Sequence, residues 1–371
     1  MKSAVVMVAA LALAACGDDS GSATGGGSTT DPATTSATDD GLDTTAAAPG
    51  TTSGAEGDSD SGPGPMETGS ESGVAEDPSW HTLAPLPGGP RQETAVAELD
   101  GLVYVVGGFL GSGAIVPDTE RYDPSTDAWT TTAPAPAALH HAQLAAHGDR
   151  LYLLGSLRGF GFDRDGASWA YDPVDDAWTE VAEMPLITAR GGGGAATIED
   201  RIYVIGGLAD GQAVADAWTY EPGADTWLPI ADMPTPRDHL GVATVGGLLY
   251  AVGGRDGSIG GHTDRVDVYD PARDTWSEGP PMPTSRGGVA IGASATTIFV
   301  AGGEGNADSA TGVFEEFEAF DAASDSWSSL PPMPVPRHGT GGVVVGARFY
   351  VPGGATVEAL GAVEDHEAWG P

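Results

Sequence analysis

Small apolar and polar side chains alternate over residues 94–99, and an Asp100-Gly101 turn, the apolar run Leu102–Val106 and the pair Gly107-Gly108 follow. Alternation of period two, then Asp-Gly, then a second apolar run predicts a β-hairpin. A loop leads on to Glu120-Arg121-Tyr122-Asp123-Pro124, and a short turn leads to Trp129, so the unit predicts four short antiparallel strands. An aromatic with Trp seven positions on then recurs as Tyr122/Trp129, Tyr171/Trp178, Tyr220/Trp227, Tyr269/Trp276 and Phe320/Trp327. The first four pairs stand 49 residues apart and the last follows after 51. Such a period means one supersecondary unit copied along the chain, with the core built between copies.

The double glycine recurs in register as Gly206-Gly207, Gly253-Gly254, Gly302-Gly303 and Gly353-Gly354, and the second copy departs to Gly155-Ser156. Together with the spaced aromatic and Trp, these residues resemble the kelch repeat over residues 78–371. The resemblance implies an all-β fold, a β-propeller with one four-stranded blade per repeat. Glycine after a strand permits close backbone approach, and large aromatics at fixed spacing fill the wedge between sheets, so these residues read as architecture.

The two ends set the blade count. The last copy reaches Trp369, which stands 49 residues after Phe320 in the aromatic position, and then stops one strand short. Trp80, in Asp77-Pro78-Ser79-Trp80-His81-Thr82-Leu83, precedes Trp129 by the same 49. The expectation is a six-bladed ring over residues 77–371 whose last blade is closed by an N-terminal strand. A closed ring has no free sheet edge and implies a monomer.

Ahead of the repeats, Lys2 and an apolar run end in Leu13-Ala14-Ala15-Cys16. Residues 1–15 read as a secretory signal too short to span a bilayer as a mature helix, and the sequence up to Cys16 resembles the bacterial lipobox. That implies lipidation of Cys16, export, and anchoring to a bacterial membrane on the periplasmic side or the cell surface. Cys16 is the single cysteine of the chain, so no disulfide forms within the molecule. Residues 16–76 hold almost no large apolar side chain and carry twelve Asp and Glu with no Lys or Arg, the composition of an extended, disordered tether.

The formal net charge of −38 excludes nucleic acid and leaves the lipid anchor as the one contact with membrane, because phosphate binding needs clustered basic charge. Arg91, Arg190, Arg237, Arg286 and Arg337 each stand thirteen residues before the aromatic of the second strand, and Leu139 takes that place in the second copy. Strands alternate in direction, so these arginines share one face with the loops between second and third strands. Guanidinium groups bind carboxylates bidentately. The series therefore reads either as a receptor for an anionic ligand or as scaffold that bonds loop carbonyls and Asp side chains.

The next two positions vary between copies: Gln92, His140, Gly191, Asp238, Gly287 and His338, then Glu93, His141, Gly192, His239, Gly288 and Gly339. Imidazoles with Glu93 or Asp238 are the donor types of a divalent transition-metal site. No tight ligand spacing accompanies them, so they read as solvated or loop-bonded histidines, and no metal or cofactor is assigned. The second copy's loop joins Arg158 to Phe160 and Phe162, a binding hot-spot composition or a pair of aromatics folded back over their own blade. Asp163-Arg164-Asp165-Gly166 lacks the later ligands of a calcium loop.

An anchored, tethered platform with one variable face fits a protein- or glycan-binding module, which needs no catalytic constellation. Enzyme precedents come with the resemblance. Galactose oxidase-like proteins use copper and a Tyr cross-linked to Cys, and the repeats contain no Cys. Sialic acid epimerase-like proteins are exported six-bladed propellers acting on an acidic sugar, for which the arginines with Glu93, Asp238 or His239 as proton carriers would serve. No motif assigns a catalytic residue.

Overall fold

The computed structural model describes residues 77–371; the signal, Cys16 and the acidic tether lie outside the described residues. Six four-stranded antiparallel sheets follow one another around a central axis. The first consists of Ala95–Leu99, Leu102–Val106, Thr119–Asp123 and Ala128–Thr131, and the next four repeat that order. The sixth joins Val343–Val345, Arg348–Pro352 and His366–Gly370 to Ser79–Thr82, with Trp80 opposite Trp369. The six-bladed propeller closed by an N-terminal strand is therefore present. Among the described residues the one helical element is the 3₁₀ turn Ile259–Gly261, and no helix is long and apolar enough to cross a membrane.

The repeated Trp clasps each blade to its predecessor. Trp129, Trp178, Trp227 and Trp276 donate their indole N–H to the carbonyls of Ala84, Ala133, Ala182 and Ala231 at 2.7–3.0 Å. The aspartate two residues before each Trp accepts the Tyr hydroxyl of its own blade, as in Tyr171 to Asp176 at 2.7 Å. It also accepts the N–H of that same alanine, as in Ala133 to Asp176 at 2.8 Å. In the last two blades the Trp acceptors are Pro280 and Pro331, which have no N–H. There the Tyr gives way to Phe320 and Trp369, which have no hydroxyl, so Asp325 of the fifth blade loses both donors, and in the sixth blade Pro78 stands in place of the aspartate.

The double glycine has a steric reason. Gly207 has φ +116°, and a Cβ there would stand 2.7 Å from the Gly191 carbonyl oxygen. The second blade escapes the requirement because its strands continue. Arg150–Arg158 and Asp163–Asp172 form one long hairpin with Ser156 paired to Asp165, so the segment expected as a loop is a strand extension turning at residues 159–162.

His366 occupies a place where other blades carry Thr119, Val266 or Phe317, and its ring lies 4.4 Å from Tyr122 and 5.2 Å from Trp129. Burial pushes its pKa from 6.5 to about 3. Below pH 6.5 the unfolded chain takes up a proton that the folded chain refuses until about pH 3, so this group's stability contribution is complete above 6.5 and is lost across that window. His366→Phe is expected to lessen the fall in melting temperature between pH 7 and pH 4. Parallel melting curves for the variant and wild type would remove His366 as a source of acid sensitivity.

Candidate functional site

The five arginines are scaffold. Each is at most 1% exposed. Arg91 pairs with Glu120, Arg237 with Asp267 at 2.6 Å, Arg286 with Glu318 at 2.6 Å and Arg337 with Glu367 at 2.9 Å. Arg190 has Trp218 at the place of the acid and donates instead to the carbonyls of Thr188, Val204, Gly206 and Asp216 at 2.6–3.1 Å. Burial lowers the pKa of Arg190 and Arg237 to about 10, which leaves both charged at neutral pH. The reading of these arginines as a receptor for carboxylates is thus corrected: the guanidinium groups are buried, and their terminal nitrogens are already engaged inside the protein.

The inner strands line a central channel of about 410 Å³. At one mouth the six residues two places after the arginine position form a closed circle of backbone hydrogen bonds. His141 N–H donates to Glu93 C=O, Gly192 to His141, His239 to Gly192, Gly288 to His239, Gly339 to Gly288 and Glu93 to Gly339, at 2.5–3.2 Å. All six are left-handed, with φ between +50° and +69°. Glycine adopts this conformation freely, but an L side chain there costs about 1–2 kcal/mol. Glu93, His141 and His239 are the three members that bear that strain, and a Cβ at Gly339 would stand 2.6 Å from Glu93 Oε1. The glycines make room for the three side chains.

Those side chains converge. His141 Nε2 stands 3.0 Å from His239 Nε2 and 3.1 Å from Glu93 Oε2, and His239 Nε2 stands 3.9 Å from the same oxygen. Their neighbours constrain the tautomers. His140 Nε2 faces the Gly159 carbonyl at 3.0 Å and must donate to it, so His140 Nδ1 accepts from His141 Nδ1–H at 2.6 Å. His239 Nδ1 stands 2.6 Å from Asp238 Oδ1, which can only accept, and 2.6 Å from Arg255 Nη2, which can only donate and also bonds Asp238 Oδ1 at 3.2 Å. With the hydrogen of His239 on Nδ1 toward Asp238, both Nε2 atoms are lone pairs turned toward each other and toward a carboxylate. Burial holds His140 at about pKa 4, partly offset by the Gly159 carbonyl; burial and then the neighbouring charges hold His141 well below the usual imidazole range.

Behind this cluster, Arg255 is nearly fully buried between Asp238 and Glu304, bonding Glu304 Oε1 at 2.5 Å. Burial works against its charge, and Glu304, Asp238 and Glu93 outweigh it. Burial alone would raise Glu304, but His338, Arg255 and the Ala359 N–H bring its pKa to about 2. Arg255 and Glu304 escaped the sequence reading. The usable signal was the residue after each glycine pair: Phe109, Leu208 and Ala355 in three copies, charged in these two. His338 donates Nε2–H to Val357 C=O at 2.9 Å, and its buried Nδ1 has no partner.

The aromatics of the second blade divide. Phe162 folds back over the histidines, 5.1 Å from His140 and 5.3 Å from His141, whereas Phe160 is 47% exposed. Arg158 pairs with Asp165 and lies over Trp169. Gln92 is internal, bonding Ala359 C=O and Gly361 N–H. The described residues expose seven large apolar side chains: Phe160, Val174, Leu186, Ile187, Leu228, Val357 and Leu360. Five of these lie on the mouth face, in second-to-third-strand connections or in the segment entering Arg190; Val174 and Leu228 do not.

Comparison with known proteins agrees with this architecture. A model of the KLHDC2/KLHL20/DRC7 Kelch-repeats domain matches residues 169–354, and a Kelch motif model matches residues 90–136. Kelch-like protein terF of Aspergillus terreus is 35% identical over 283 residues, 72% of this chain and 62% of that protein. N-acetylneuraminate epimerase of Haemophilus influenzae is 38% identical over 86 residues, 21% of this chain and 23% of that protein. Each match spans less than two thirds of the relative's length. Among solved structures, one described as "Structure of YjhT" superposes with a TM-score of 0.63 at 16% identity, covering 76% of this chain and 95% of that one.

Proposed function

The chain belongs to the kelch-repeat family, and we propose that its propeller is a binding module whose mouth face receives a protein ligand. The carrying observation is the gathering of Phe160, Leu186, Ile187, Val357 and Leu360 on that one face of an otherwise acidic molecule. Exposed aliphatic side chains grouped on one face mark protein contacts more than sugar contacts, for which stacked aromatics serve better. With the arginine series engaged internally, the ligand gains nothing from being anionic at those positions.

The sequence up to Cys16 supports export and lipid anchoring of this monomeric module, with the acidic segment as spacer. The test combines both parts. Residues 77–371, immobilised, should capture a cell-envelope protein that the variant Phe160→Ser/Leu186→Ser/Ile187→Ser captures at least tenfold less well at unchanged melting temperature. Cys16→Ser in the full chain should shift the protein from the membrane to the soluble fraction. Equal capture by the variant removes this face as the binding surface, and a membrane-bound Cys16→Ser removes the anchor.

A second reading is epimerisation of an acidic sugar. It is favoured by the carboxylate and two imidazoles within hydrogen-bond reach at the channel mouth, and by the epimerase relatives. Anomer interconversion of N-acetylneuraminate followed by NMR separates it from the binding module.

A further inference from the structure

We propose that Glu93, His141 and His239 bind one divalent first-row transition-metal ion at the mouth of the channel. Their donor atoms all lie within 4.8 Å of one another. Three donors of a tetrahedral or octahedral ion with bonds of about 2.0–2.2 Å stand roughly 2.8–3.6 Å apart. Two pairs here fall in that range, at 3.0 and 3.1 Å, and the third stands just beyond it at 3.9 Å. Two imidazoles and one carboxylate are a set suited to zinc or ferrous iron, and leave positions for water or a further ligand.

The hydrogen-bond partners orient the donors toward an ion. With His141 holding its hydrogen on Nδ1 toward His140 and His239 holding its own on Nδ1 toward Asp238, two lone pairs and an anion face one another. A cation resolves that repulsion. A carboxylate accepting from the far nitrogen, as Asp238 does for His239, is the outer-shell arrangement found around metal-ligating histidines, and His140 takes that accepting place for His141. The backbone points the same way: of the six circle positions, the three that depart from glycine in the left-handed region are these three residues. His338 Nδ1, with no hydrogen-bond partner among the described residues, stands 3.5 Å from Glu304 Oε2 and 3.9 Å from Glu93 Oε1 beside the cluster.

The test is titration of the full chain, stripped with a chelator, with Zn²⁺ by calorimetry and with Co²⁺ by visible absorption. Wild type should take up one equivalent in the micromolar range or tighter at pH 7, and its melting temperature should rise with the ion. Glu93→Gly, His141→Gly and His239→Gly should each lower affinity at least 100-fold and abolish the melting shift. Glycine is the chosen replacement because this fold already accepts it at three of the six positions. Asp238→Asn should weaken binding about 10-fold. Lack of saturable uptake by wild type overturns the site. So does uptake unchanged in the glycine variants, which would place the ion on acidic groups elsewhere. The apolar-face variant should leave this titration unaltered, so the binding module and the metal site fail separately.

Discussion

Truncation of residues 1–83 is expected to lower the melting temperature by at least about 5–8 °C relative to truncation of residues 1–76, and to make the protein self-associate. The longer deletion removes Trp80, which contacts Phe317 at 4.9 Å and Trp369 at 5.8 Å and donates its indole N–H to Pro331. Truncating a packed Trp costs about 3–5 kcal/mol. Divided by the unfolding entropy of a domain of about 295 residues, that gives the stated shift. His366–Gly370 then becomes an open edge with unpaired N–H and C=O groups, which invites pairing between molecules. Thermal melts and sedimentation of the two truncations check both effects. Equal melting temperatures would mean that Ser79–Thr82 adds nothing to the sixth blade.

Arg237→Ala is expected to destabilise the propeller by up to about 3–5 kcal/mol, because it takes from fully buried Asp267 one of its two guanidinium partners. Arg265 keeps its own bonds to both oxygens of Asp267 at 2.7–2.9 Å and offsets part of that loss. Arg190→Ala removes donors from four carbonyls and leaves no buried carboxylate behind, so its cost should be smaller. Combined replacement of Arg190, Arg237 and Arg286 by Ala is expected to prevent folding. Denaturant unfolding monitored by Trp fluorescence measures the single variants. An Arg237→Ala protein as stable as wild type would contradict the pairing.

The ring was legible because its determinants repeat: aromatic, Trp and double glycine fall in register, and a period is visible without knowledge of contacts. The partners of the arginines were legible too, although only in combination. Glu120, Asp267, Glu318 and Glu367 each stand two residues before the blade's aromatic, and where that position is Trp218, as in the third blade, Arg190 turns to carbonyls. The cluster at the channel mouth was hidden for the opposite reason. Glu93, His141 and His239 are separated by 48 and 98 residues and come together only because six copies of one position meet on an axis. Ligand spacing along the chain carries no trace of a site that ring closure assembles. The row of residues at that repeat position, Glu-His-Gly-His-Gly-Gly, does carry one.

Closure from the N-terminal side also fixes when the ring can shut. Ser79–Thr82 precedes every other strand of the ring along the chain and its partner His366–Gly370 follows every other. In whatever compartment folding takes place, five blades can form from their own four strands, while the sixth needs both ends of the repeat region. A chain ending after Leu330 would therefore hold five finished blades and an unclaimed tryptophan strand, and limited proteolysis would tell it from the closed ring.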